Sequence, residues 1–300
     1  MLTQSTSNST KLFHLLSKPV VVNLMGGLGN QLFQYAAARS QADRLGTDLF
    51  FDISSYDQDP ARQYELNVFN IRGRVLLHKS SSRGLMQSLQ RFILLKNIKS
   101  FKEQSFRFDP QLETTSSGSW MTGYFQSEKY FSINQEQIRK DLTLKGPLSE
   151  LTSGLATKIR ASQSAVCLHI RRGDYVSNPN ANSFHGVIPI QYYNQAVETI
   201  KKSYPDLHLF LFSDDPDWVG ANLNFGVPQT VMKANPPERG VEDLYLMSLC
   251  QHHIIANSSF SWWGAWLAQA KNQIVIAPKR WFLTGEVDDS DLIPEKWIRI

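Results

Sequence analysis

Two arginines, a glycine and an aspartate, Arg171-Arg172-Gly173-Asp174, close the short apolar run Val166-Cys167-Leu168-His169-Ile170. The run has the length and composition of a buried strand. In open α/β sheets ligands bind at the carboxyl ends of strands. A guanidinium there pairs with phosphate oxygens two bonds at a time, so the spacing points to a phosphate-bearing ligand. A surface salt bridge between these arginines and Asp174 is the competing explanation. Two further strand-like runs end in polar loops. Residues 207–213 lead into Ser213-Asp214-Asp215-Pro216-Asp217, and Ile254-Ile255-Ala256 leads into Asn257-Ser258-Ser259. One sheet edge would then hold two permanent cations, several carboxylates and a helix start carrying hydroxyls. That is the make-up of a diphosphate site with carboxylates for a ribose or purine. Asp243, on the helix before Asn257, would accept hydrogen bonds from a guanine edge. Ser258 and Ser259 read equally well as simple helix caps.

A second chemical stretch lies near the start. Residues 19–24 are β-branched and read as a first buried strand. Met25-Gly26-Gly27-Leu28-Gly29-Asn30-Gln31 follows as a loop, and a helix from Leu32 runs to Leu45, with Gly46 as its stop. Strand, glycine loop and helix aim free backbone N–H groups at an anion. Three readings compete. A dinucleotide fingerprint is partial, because Leu32 stands where the third glycine belongs, although Asp52 is placed loosely as a ribose-binding acid. A P-loop fails for want of Lys-Ser/Thr after the glycines. A structural tight turn would serve as well.

Other candidate chemistry is weaker. Asp215-Pro216-Asp217 looks like a metal-binding Asp-x-Asp, but the proline restricts the turn and helix initiation accounts for acids there. His252 and His253 are adjacent and point in different directions, a poor metal pair. There is no Gly-x-Ser-x-Gly elbow and no Cys-x-x-Cys.

The elements that must position these groups follow from the pattern. At 300 residues the prior is two domains. A hydrophobic share of 42% supplies one or two cores. The two cysteines, Cys167 and Cys250, are too few for a disulfide framework and read as core residues. A net charge of +4 tilts the partner toward an anion but falls short of a nucleic-acid binder. After Ala165 strands and helices alternate: a helix opens at Pro189, strands occupy residues 207–213, 229–232, 254–256 and 273–277, and residues 241–252 are helical. This alternation predicts an α/β, doubly wound parallel sheet. The Gly/Pro/Ser-bearing stretch 143–157 is the expected domain boundary. The expected organisation is a flexible tail 1–18, a glycine-loop domain 19–155 and a second domain 156–300. Residues 79–107 carry Lys79, Arg83, Arg91, Lys96, Lys99, Lys102 and Arg107 among apolar residues. They read as a basic amphipathic helix, either with one solvated face or touching an anionic lipid surface. No window is long and apolar enough for a membrane span, which predicts a soluble, cytoplasmic protein.

Three motifs in order carry a resemblance: Gly26-Gly27-Leu28-Gly29-Asn30-Gln31-Leu32-Phe33-Gln34-Tyr35, His169-Ile170-Arg171-Arg172-Gly173-Asp174-Tyr175 and Asn257-Ser258-Ser259-Phe260-Ser261-Trp262-Trp263-Gly264-Ala265-Trp266-Leu267. Phe212-Ser213-Asp214-Asp215 adds a fourth. Together they resemble the α-1,2-fucosyltransferases of glycosyltransferase family 11, over residues 20–282. The resemblance implies a glycosyltransferase-B fold of two Rossmann-like domains facing a cleft. It implies donor GDP-L-fucose on the C-terminal domain, the acceptor on the N-terminal one, and inverting transfer to the 2-hydroxyl of a terminal β-galactoside with no metal or other cofactor required. It also implies bacterial surface-polysaccharide (O-antigen) synthesis. On this reading Arg171 and Arg172 hold the diphosphate, Gly27, Gly29, Asn30 and Gln31 close over the donor, Ser258 and Ser259 serve the phosphates, and His169 and Asp243 serve the nucleoside. Ser213, Asp214 and Asn257 complete the donor site. Asp174 and His185 are the candidates for a catalytic base. Another fucosyl linkage and a non-catalytic glycan-binding protein are the alternatives, and the galactose-terminated acceptor is expected to be chosen by residues 54–132.

Overall fold

The computed structural model describes residues 18–76, 95–283 and 287–300. The expected tail and most of the basic stretch, residues 79–94, therefore lie outside the described residues. The chain forms two compact units, Met1–Lys145 and Gly146–Ile300. The division falls at the start of the 143–157 stretch, earlier than a cut after residue 155, because the helix Glu150–Ala161 belongs wholly to the second unit.

In the first unit five strands lie parallel in the order β3-β2-β1-β5-β4. They are β1 (Val20–Asn23), β2 (Leu49–Asp52), β3 (Arg74–Val75), β4 (Lys99–Lys102) and β5 (Ser119–Thr122). The strand β4 falls inside the stretch read from the sequence as a basic helix. Its lysines at 99 and 102 are exposed, as an edge strand allows. Helix α1 (Leu28–Leu45) begins earlier than its apolar pattern suggested and ends at Gly46 with φ 62°. Gly29, Asn30 and Gln31 are therefore first-turn residues of a helix, and the loop proper is Met25-Gly26-Gly27. Gly26 takes φ +73°, a conformation open to glycine. Helix α2 (Gln135–Asp141) brings Asp141 to α1, where its Oδ2 accepts from the Tyr35 hydroxyl at 2.5 Å and from Arg39 Nε at 2.8 Å.

The second unit has six parallel strands in the order β11-β10-β9-β6-β7-β8. They are β6 (Ala165–Ile170), β7 (His208–Ser213), β8 (Gln229–Val231), β9 (His252–Ile254), β10 (Val275–Ala277) and β11 (Ile298–Arg299). Every residue of β6 is buried, as a strand covered on both faces requires. The period of two sorts them. Val166, Leu168 and Ile170 pack with Tyr193, Val197 and Ile200 of the helix Ile190–Lys201. Ala165 and Cys167 pack on the other face with Ile159 of Glu150–Ala161 and with Leu246, Met247 and Cys250. Helices α3 (Glu150–Ala161), α4 (Gly173–Ser177), α5 (Pro179–His185), α6 (Ile190–Lys201), α7 (Pro216–Asn222), α8 (Gly240–Ser248) and α9 (Ser259–Leu267) fill the crossovers. The strands of both sheets are parallel among the described residues, so the protein is built from two Rossmann-like α/β domains. Helix α8 stops at Ser248 rather than reaching residue 252, because His252 and His253 are fully buried members of β9. The imidazoles serve the fold: His252 Nδ1 accepts from Ile274 N at 3.0 Å, and His253 bonds Met247 O and Gln273 Nε2.

Candidate active site

The register of the second sheet places the candidate groups. β6 pairs β7 from Ala165↔His208 to Ile170↔Ser213. The next residues, Arg171 and Asp214, leave the sheet side by side. Arg171 Nη1 sits 2.7 Å from Asp214 Oδ2, and Arg172 Nε sits 3.1 Å from Asp215 Oδ2. Asp214 Oδ1 also accepts from the Arg172 backbone N–H at 2.9 Å. The arginines thus pair with acids of the neighbouring strand end. A methyl at Gly173 would lie 2.5 Å from Asp214 Oδ2, so only glycine admits this carboxylate. Arg172 lies over Trp218, 3.5 Å from the ring centroid, and Arg171 sits 5.4 Å from the Tyr175 ring. With side chains 25% and 17% exposed, the guanidiniums are oriented yet reachable, the state in which a fork binds an anion with little ordering loss.

Other expected residues take different places. His169 is buried, and its Nδ1 has no hydrogen-bond partner among the described residues. Burial pushes its imidazole down to about 4, with Asp214 pulling it back up and Arg171 adding to the fall. It is a neutral ring at neutral pH, and orphaned buried atoms of this kind call for an explanation. The Ser213 hydroxyl accepts from Asp215 N at 3.0 Å, and Asp215 caps α7 through Trp218 N, which accounts for the acids of the Asp-Pro-Asp run. Asp243 is held by Asn235, whose Nδ2 donates to Oδ1 at 2.7 Å, and burial raises its carboxyl. Ser258 is the N-cap residue of α9 but makes no side-chain cap bond, so capping does not account for its hydroxyl. Ser259 opens the helix half-buried.

Asn257 is only 1% exposed. Its Nδ2 donates to the carbonyls of His185 at 2.7 Å and Trp281 at 3.2 Å, and its backbone carbonyl accepts from the Tyr175 hydroxyl at 3.1 Å. The amino group of this buried amide is a staple between segments, while its Oδ1 has no hydrogen-bond partner among the described residues. His185, at the end of α5, lies parallel on Tyr175 with centroids 4.8 Å apart and 4° between planes. Asp174 stands in the short helix α4, and its side chain lies outside the described residues. Tyr175 and Trp218, which set the arginines, were not singled out in the sequence. An aromatic close in sequence to a strand-tip cation or its paired acid is the signal that marks them.

In the first unit Gly27 is the N-cap of α1 in extended conformation, and a methyl on it would lie 3.3 Å from an Arg62 guanidinium nitrogen. Asn30 Oδ1 accepts from Gln126 Nε2 at 2.8 Å. Gln31 is fully buried. Its Nε2 donates to the carbonyls of Gly26 at 3.1 Å and Gln63 at 2.8 Å, and its Oε1 accepts from Glu65 N at 2.9 Å. Gln31 is therefore a clamp on the loop and on residues 63–65. Among the described residues no three His, Cys, Asp or Glu side chains gather as a metal site, and no helix is long and apolar enough to cross a membrane.

Comparison with known proteins agrees with the motif order. The chain is 34% identical over 292 residues to an alpha-1,2-colitosyltransferase of Escherichia coli, covering 94% of this chain and 98% of that one. It is 32% identical over 303 residues to the O-antigen biosynthesis glycosyltransferase WbnK of Escherichia coli, covering 92% and 99%. A galactoside 2-alpha-L-fucosyltransferase of Caenorhabditis elegans is 24% identical over 302 residues, covering 96% of this chain and 80% of that one. The profile of Glycosyl transferase family 11 matches residues 3–300, and the chain belongs to that family.

Proposed function

We propose that the protein is an inverting glycosyltransferase that moves L-fucose from GDP-β-L-fucose to the 2-hydroxyl of a terminal β-galactoside, in bacterial O-antigen synthesis. The observation that carries this reading is the pair of oriented arginines at the tip of β6 in a family 11 chain. Breaking the fucose–phosphate bond develops negative charge on the departing diphosphate. Arg171 and Arg172 meet that charge, an electrostatic effect worth about 2.7–4 kcal/mol of barrier for one such donor. Neutralisation by guanidiniums makes a metal unnecessary. The neutral His169 and the hydroxyls of Ser258 and Ser259 line the same strand ends and suit the nucleoside and phosphates. Peripheral docking of the basic stretch on the inner membrane is part of the same proposal.

The similarity to the colitosyltransferase favours a second reading. Colitose is fucose without its 3-hydroxyl, so one kind of displacement serves either sugar and only one sugar contact differs. Incubation with GDP-fucose and with GDP-colitose, across a panel of β1,3- and β1,4-galactosides, with and without chelator, separates the two. Transfer from GDP-fucose to a 2-hydroxyl, unaffected by chelator, is the expected result. Transfer from GDP-colitose alone would replace the donor, and glycan binding without transfer would replace the whole reading.

A further inference from the structure

The Asp-Pro-Asp run after β7 has a task beyond starting a helix. Asp215 uses both carboxylate oxygens: Oδ1 accepts from Trp218 N at 3.3 Å, and Oδ2 accepts from Arg172 Nε at 3.1 Å. Pro216, in the first turn of α7, fixes the bend between the acid and Trp218. One short turn therefore carries both the acid that holds Arg172 and the ring beneath it. The guanidinium carbon stands 3.5 Å from the Trp218 ring centroid. Trp218 is half-buried and packs against the core that contains Leu211 and Val219, so the ring is a fixed platform. Arg172 is thus tied at one nitrogen and on one face. Among the described residues no hydrogen bond ends on its Nη1 or Nη2. With the side chain 17% exposed, those two nitrogens are the edge of the fork left to reach an anion. Arg171 is held differently: its Nη1 is spent on Asp214, and its guanidinium lies 5.4 Å from the Tyr175 ring.

We propose that Trp218 is a positioning residue for diphosphate binding: its ring holds the Arg172 guanidinium flat before the nucleotide arrives and leaves the Nη1–Nη2 edge to the phosphate oxygens. This rests on the glycosyl-transfer reading above for the ligand, a nucleoside diphosphate. An arginine side chain gives up rotamer freedom when its fork closes on two oxygens, and a fork already held in plane gives up less. An aromatic face does this without competing for the anion. It attracts the cation through the ring quadrupole and takes none of its N–H groups. A second carboxylate in that place would offset the charge that the phosphate needs; the ring leaves it intact. Asp215 fixes the direction of Nε, and Trp218 fixes the plane. Both belong to the second unit, as does Arg172, so the device is complete within one domain.

The test is a double-mutant cycle on GDP affinity, read by titration calorimetry on wild type, Trp218→Leu, Arg172→Ala and the double variant, each checked by a thermal melt. Trp218→Leu is expected to weaken GDP binding about 3- to 30-fold, the range for a partly desolvated cation–ring contact. Trp218→Tyr keeps a ring face and is expected to recover most of that loss. In the Arg172→Ala background Trp218→Leu is expected to change GDP affinity by less than about twofold, because the ring has nothing left to hold. If Trp218→Leu does not fold, Trp218→Met, whose unbranched chain keeps contact with the core, takes its place with the same expectations. A loss below about threefold in the folded variant overturns the assignment. So does a Trp218→Tyr as weak as Trp218→Leu, or an equal loss with and without Arg172, which would mark a purely structural ring. These failures appear only in the variants. Failure of the donor reading appears in wild type: binding of UDP in place of GDP changes the nucleotide and the cycle is read with UDP, and binding of neither these nor inorganic pyrophosphate overturns both.

Discussion

Arg171 and Asp214 leave adjacent parallel strands at the same level and meet at 2.7 Å. The acid is a holder for the cation: Oδ2 faces the guanidinium and Oδ1 takes the Arg172 N–H. Asp214→Asn keeps the shape and removes the charge. Hydrogen bonds to charged groups are worth about 1.5–3 kcal/mol, so turnover should fall by about 10- to 150-fold while the melting temperature barely moves. Gly173→Ala should mimic this, since its methyl would lie 2.5 Å from Asp214 Oδ2 and push the carboxylate away. Steady-state kinetics of both variants, with thermal melts, checks the pair.

Asn257 joins three segments that the sequence keeps far apart. Asn257→Ala removes donors to His185 O and Trp281 O from a site that is 1% exposed. Leaving buried carbonyls unpaired costs about 1–3 kcal/mol each. We expect a melting temperature lowered by several degrees. Activity should fall further than stability explains, because the Tyr175–His185 stack beneath Arg171 loses its anchor.

Two carboxyls, one buried and one half-buried, give stability terms of opposite sign. Arg239, Ser149 and Thr152 hold Glu242 against burial and lower its carboxyl to about 2. Its contribution is complete above the ordinary value of 4.5 and is lost as pH falls through about 2. Glu242→Gln should cost on the order of 2–3 kcal/mol at neutral pH and flatten the acid arm of the stability curve. Glu103 is raised to about 7, mainly by burial, although it accepts from Tyr124 N at 2.7 Å and Phe125 N at 3.0 Å. Its term is complete below 4.5 and is lost as pH rises through about 7. The amide oxygen that Glu103→Gln leaves in place can still accept from both backbone N–H groups and hold Phe125 at φ 53°. The substitution should therefore remove the decline between these values, as read in urea titrations at stepped pH.

Asp141 is the hub of the first unit's buried polar network, taking Tyr35, Arg39 and Gln137. Asp141→Ala leaves the buried Arg39 guanidinium with Asp43 as its remaining acid, and losing one partner of a buried pair costs up to about 3–5 kcal/mol. A urea midpoint shift confined to one transition would place that loss in one unit.

The second unit was largely legible. The run from Ala165 to Ile170 is a strand to the residue, because a strand covered on both faces is apolar throughout. The α8–β9 boundary was not, because His252 and His253 look polar in sequence yet bond inside the sheet. Gln31 and Asn257 drew attention as ligands because polar residues in glycine- and serine-rich motifs resemble site residues. Only packing reveals that their amides bind the chain itself. Lys99 and Lys102 seemed helical because an edge strand tolerates charge on both sides.

The central claim is that the guanidiniums at the tip of β6 receive a nucleoside diphosphate. Titration calorimetry of GDP with wild type and with folded Arg171→Ala tests it most directly. The account predicts that wild type binds and that the variant binds about 10- to 150-fold more weakly, as loss of a charged hydrogen-bonding partner implies. Equal GDP affinity in the two proteins would contradict it.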